Sequence, residues 1–149
     1  MFNKAIKYTL FLFFLGFILS LYTIDEETKD VRLVGTLNQR AVELYQDGKY
    51  AEAIDLAKTI WLYAEKHLGE QHQQALFALN NLGHLYQVQG QYLQAQPLLQ
   101  RAVRIREQVL GKEHPDTLTS INNLAGLYQA QGRYEKAESL YQRALPIRE

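Results

Sequence analysis

The chain has 149 residues, 16 basic against 16 acidic side chains, and no cysteine. That length holds one compact domain or a short array of repeats. The even charge excludes the clustered basic footprint of a nucleic-acid surface, and the missing cysteines exclude disulfides and thiolate metal sites.

The first element is apolar. Lys4 and Lys7 precede a run without charge from Tyr8 to Ile24, and Asp25, Glu26, Glu27 and Asp30 follow it. A basic start before a long apolar run is the pattern of a secretory signal or an anchor helix. As a helix the run is about 26 Å long, at the lower edge for a bilayer span. Gly16 and Ser20 are the only small residues near its end, a poor cleavage pattern. The expectation is an uncleaved anchor over residues 1–24 and a linker over 25–32. The lysines would stay in the cytoplasm. The rest would be extracytoplasmic, in a bacterium the periplasmic side of the inner membrane. Secretion, or release to the periplasm after signal cleavage, is the alternative.

From residue 33 onward the chain repeats itself at a fixed offset of about 42 residues, and a constant period of this size marks a stacked repeat architecture. Asn122-Asn123-Leu124-Ala125 answers Asn80-Asn81-Leu82-Gly83, and Asn38-Gln39-Arg40-Ala41 is a fainter copy. The offset also holds for Gly48, Gly90 and Gly132, for Tyr50, Tyr92 and Tyr134, and for His72 and His114. Within each unit apolar residues recur at three- and four-residue steps on both sides of the glycine, so each unit reads as helix A, tight turn, helix B, linker. The units span about 33–74, 75–116 and 117–149, the last one short of its closing linker. Gly83 is small where a partner helix must come close. Pro97 removes one backbone donor inside the second helix B, where a local kink is expected. Leu140, Tyr141 and Leu145 lie on a final helix with no successor to cover them, although solenoids usually finish on a polar cap.

With these residues set out, the pattern Asn-Asn-Leu-Ala/Gly-x-x-Tyr-x-x-Gln-Gly-x-Tyr, followed by Leu-Gly-x-x-His-Pro-Asp, resembles the tetratricopeptide repeat. More narrowly it is similar to the 42-residue form found in kinesin light chains and many bacterial proteins. The first unit departs from it at Gln39, Arg40 and Gln73 and reads as a degenerate, end-capping copy. Kinesin light chains lack an N-terminal segment like this one, so motor attachment does not carry over. The resemblance implies an all-α fold: a right-handed α-solenoid of helix-turn-helix repeats, here preceded by an N-terminal hydrophobic helix. It implies a concave groove lined by the A helices, in which Asn81, Asn123 and the equivalent Gln39 contact a bound peptide backbone. A carboxamide carries both donor and acceptor, so it reads a backbone without choosing a side chain. His84, Gln87 and Val88, and then Gly126, Gln129 and Ala130, are expected on the same groove. No basic clamp for a C-terminal carboxylate is visible.

Other residue types read as structure. His67, His72, His84 and His114 do not form a converging ligand set, so no metal and no cofactor is expected. Asn80 and Asn122 are assigned to packing between repeats. Tyr50, Tyr92, Tyr134, Trp61 and Tyr141 fall at core spacing. Arg101, Arg104, Arg106 and Arg148 form a modest basic outer face on the B helices. No phosphate loop, nucleophile elbow or unexplained carboxylate pair is present, so no enzyme is expected. The function read from the sequence is a non-enzymatic adaptor, membrane-bound through its first helix, that holds a protein or peptide partner. The alternatives are a module that self-associates through its C-terminal end, and the front part of a larger regulator or enzyme.

Overall fold

The computed structural model describes residues 4–145 as six helices: α1 (Lys4–Gln46), α2 (Tyr50–Leu68), α3 (Gln73–Val88), α4 (Tyr92–Val109), α5 (Pro115–Ala130) and α6 (Tyr134–Ala144). No strand occurs among the described residues.

Two local devices, each repeated, cut the chain into these helices. The first is the turn inside each unit. Gly48, Gly90 and Gly132 adopt φ of 75°, 70° and 72°, the left-handed conformation that glycine enters without a Cβ penalty. Each turn closes with the same two backbone bonds. In the first unit Gly48 N–H donates to the Tyr45 carbonyl at 3.0 Å and Lys49 N–H to the Leu44 carbonyl at 2.9 Å. The second device is the start of α3 and α5. His72 Nδ1 accepts from Gln74 N–H at 3.2 Å, and His114 Nδ1 accepts from Asp116 N–H at 3.1 Å. Each imidazole thus caps one of the free amides at a helix start. Pro115 sits in the first turn of α5, where its missing N–H costs nothing. Helix α4 runs unbroken through Pro97.

Each helix packs on the next, and the A helices also touch one another: α1 meets α3, and α3 meets α5. No two of α2, α4 and α6 come into backbone contact. Helices that meet on one side and splay on the other curve the array, with the A helices on the inner side. Long side chains bridge the splayed side. Arg101 pairs with Glu65 and, at 2.8 Å, with Glu70, and Arg143 pairs with Glu107. Glu65 and Glu107 are separated by one repeat period, as are Arg101 and Arg143, so one cross-repeat pair is made twice.

The core is a chain of clusters between neighbouring units. Leu82 is buried against Leu44, Ala53 and Ala57 of the unit before it, and Leu124 against Ala95 and Leu99. Arg40 stands at the same place in the first unit. It is 54% exposed and paired with Glu43 at 2.9 Å. A position that is a buried leucine in the later units is here a solvated charge.

Several expectations change. Residues 25–32 are not a break in the helix here: α1 runs through them to Gln46. Among the described residues no helix is long and apolar enough to cross a membrane. That overturns the membrane anchor and the extracytoplasmic placement drawn from it. The physical reason is length: a bilayer core takes about 20 apolar residues. The run from Tyr8 to Ile24 is shorter than that, and α1 carries it directly into Asp25, Glu26 and Glu27. Tyr134 is 69% exposed rather than packed: among the described helices only α5 packs against α6. Leu140 packs against the core of the last two units, whereas Tyr141 and Leu145 are 37% and 67% exposed.

Candidate functional site

The inner face is built from α1, α3 and α5. Asn81 and His84 line a notch of about 100 Å³ with Ala41, Val42, Tyr45 and Leu85, so the α1 and α3 walls meet there. The His84 ring lies 5.9 Å from the Tyr45 ring, tilted by 57°. Its Nδ1 is buried without a partner among the described residues. Burial pushes the His84 pKa down, and a hydrogen bond with the Gln87 side chain partly opposes it. The neutral imidazole is therefore the favoured form in the fold.

One turn on, Gln87 reaches α5. With its amide nitrogen turned toward the Asn123 carbonyl it donates there at 3.2 Å. A Cβ at Gly126 would stand 3.1 Å from the end of the Gln87 side-chain amide, so the glycine makes room for this bridge. On the next helix Tyr141 donates its hydroxyl to Gln129 Oε1 at 3.0 Å. Gln87 and Gln129 thus join neighbouring helices, a role the sequence reading did not assign them. Val88, Ala130 and Gln39 are exposed. Asn81 and Asn123 are both half-buried, and among the described residues neither side-chain amide takes a hydrogen-bond partner.

The adjacent asparagines behave differently. Asn80 is buried, and its Oδ1 accepts from Ser120 Oγ at 3.0 Å. Asn38 is buried as well and donates to Gln74 Oε1 at 3.2 Å. Asn80 therefore serves packing between repeats. Asn122 is exposed. The basic outer face does not form as expected. Arg101 is held by Glu65 and Glu70, Arg106 is buried, Arg104 is exposed, and Arg148 lies outside the described residues. The recurrence of Glu65 at Glu107 and of Arg101 at Arg143, one period on, was a signal for the cross-repeat pairs. Nothing in the repeat pattern marked Tyr45 and Val42 as a wall of the notch.

Residues 74–149 match a tetratricopeptide repeat family, and residues 33–74 match a second tetratricopeptide repeat family. The chain belongs to the tetratricopeptide repeat family. Among solved structures it is similar to the nearly identical TPR-like repeats of a Podosopora anserina kinesin light chain protein. The identity is 31% and the TM-score 0.71, over 76% of this chain and 54% of that one. It also shares the fold of BtubC (BKLC) from P. vanneervenii, at 19% identity and a TM-score of 0.74, over 80% of this chain and 47% of that one. The chain spans about half the length of these structures. No curated protein matches it. Its repeats are of the kinesin-light-chain-like type, and its fold is the right-handed α-solenoid of such repeats. Tetratricopeptide repeats are protein–protein interaction scaffolds in general, and those of this type are typically not enzymes.

Proposed function

We propose that this chain is a non-enzymatic adaptor that holds an extended partner segment against its inner A-helix face. The observation that carries the reading is the pair Asn81 and Asn123. They stand one repeat period apart on α3 and α5, half-buried, with amides that no described residue engages. Neither amide is among the buried polar atoms left without a partner, so water meets both in the free chain and a partner segment can take its place. Peptide backbone supplies the matching donor and acceptor. His84 and Tyr45 beside Asn81 offer an aromatic wall for an apolar side chain of the same segment.

The test is a cross-linked pull-down comparing the wild type with Asn81→Ala/Asn123→Ala, both checked for helix content by circular dichroism. A partner captured by the wild type and lost by the folded double variant supports the groove. A partner retained by both moves binding elsewhere on the surface. A second reading rests on the side of α6 turned away from α5, where Tyr134, and Leu145 just past the helix end, are exposed apolar residues. It makes the C-terminal end a contact between two copies, and sedimentation across a concentration series distinguishes it: a monomer at every concentration removes it.

A further inference from the structure

A second polar feature lies away from the groove, at the edge of the array where the A helices begin. Arg106 of α4, His114 and Asp116 at the start of α5, and Gln71 and Gln73 at the start of α3 line a cleft of about 160 Å³. Arg106 is 4% exposed. Its Nη1 donates to the Asp116 backbone carbonyl at 2.8 Å and to Ser120 Oγ at 2.7 Å. No described residue accepts from its Nε or Nη2, and no described carboxylate lies within ion-pair distance of the guanidinium. Nε and Nη2 are not among the buried polar atoms left without a partner, so they keep access to solvent at the cleft that Arg106 lines, and a guanidinium whose protein acceptors are all neutral can take a counter-charge there. The first turns of α3 and α5 border the same cleft, and both are the positive ends of helix dipoles. Asp116 is the opposing group. Its carboxylate lies 3.9 Å from His114 Nδ1 and contributes a favourable field at Arg106 without touching it.

We propose that this cleft binds one small oxyanion through the free N–H groups of Arg106, with the Gln71 and Gln73 amides as neutral donors. Guanidinium presents parallel N–H groups that match two oxygens of a carboxylate or a phosphate. The cleft volume suits a single such group. Its sources are free phosphate or the acidic side chain of a docked protein segment, and Asp116 weakens either by repulsion.

The experiment follows the Arg106 Nε–H resonance by ¹⁵N NMR in the whole chain at constant ionic strength. The probes are inorganic phosphate and N-acetyl-glutamate amide, each added to the wild type and to Asp116→Asn. That substitution removes the repelling charge and leaves intact the backbone carbonyl that Arg106 uses. The expected result is a saturable shift that Asp116→Asn makes tighter by roughly fivefold, the size of one near-surface charge interaction. Tighter saturation by phosphate assigns the site to free phosphate, and tighter saturation by the glutamate probe assigns it to an acidic partner segment. A shift that never saturates, one shared equally by the exposed Arg104, or an affinity unmoved by Asp116→Asn overturns the proposal.

Discussion

Single residues decide how closely these helices approach. Gly83 faces Leu99, and a Cβ there would stand 2.7 Å from two Leu99 side-chain atoms. Leu99 is fully buried, so it has little room to yield. Gly83→Ala should cost about 1–3 kcal/mol by overpacking. The first unit carries Ala41 and Ala57 at the equivalent places and the third Ala125 and Tyr141, so the pair is matched differently each time. Leu99→Ala alone should cost about 2–5 kcal/mol. Urea unfolding of the single and double variants should therefore show a loss well short of additive; full additivity would mean that the two positions do not share the space. His84 sets a second residue-scale expectation. Its folded pKa lies below its ordinary value of about 6.5 because burial disfavours the charged ring. The unfolded chain then takes up a proton more readily than the folded one. This contribution to stability is fully present above the unfolded value and is lost as pH falls through the lowered folded value. Thermal melts from pH 8 to pH 5 should drop less steeply in His84→Leu than in the wild type. Parallel curves would remove His84 as the cause.

At the scale of the element, helix starts are the repeated device. His72 and His114 do the same work in successive repeats, each accepting one backbone N–H at the head of an A helix. A side-chain cap of this kind is worth about 0.5–2 kcal/mol. Loss of either imidazole in His72→Ala or His114→Ala should lower unfolding stability by that amount, and His114→Asn should recover most of it. An alanine variant as stable as the wild type would show that water replaces the cap without cost. The B helices are held in another way. The pairs from Arg101 and Arg143 to Glu65 and Glu107 sit on the splayed side, partly buried but still in reach of water, where such pairs contribute roughly 1 kcal/mol. They set spacing between repeats more than they add stability, and the buried clusters between the helices carry the stabilising weight.

The whole molecule is quasi-one-dimensional, each unit leaning on its neighbours. Its two ends are unequal. At the first unit Arg40 replaces a buried leucine position and is solvated. At the last, α6 has Ala137 as its one buried residue among those described and carries exposed Tyr134, with exposed Leu145 just past its end. Local opening starts where few apolar contacts hold an element. Amide hydrogen exchange should be fastest in α6 among the helices that follow α1 and slowest in α3, which packs against α1, α2, α4 and α5. Equal protection in α3 and α6 in a monomer would contradict this gradient, and added protection of α6 at high concentration would support contact between copies.

Much of this architecture was legible in the order of residues alone. The fixed period, the turn glycines and the three- and four-residue apolar steps mark helix pairs, because turn conformation and amphipathic periodicity are local properties of the chain. The placing of Asn81 and Asn123 at equivalent depth on two A helices was legible for the same reason. The continuity of α1 through residues 25–32 was not, since no residue there starts or stops a helix. The sequence also could not assign Gln87 and Gln129 to bridges, or separate buried Arg106 from exposed Arg104. Those outcomes depend on which neighbour each side chain meets, and residues far apart in the chain supply the neighbour. Repetition by itself determined the stack of helix pairs. Only the tertiary structure decided which polar groups are used up inside it and which, like the amides of Asn81 and Asn123, take no partner among the described residues, because hydrogen-bond satisfaction belongs to the assembled surface and not to any one stretch of chain.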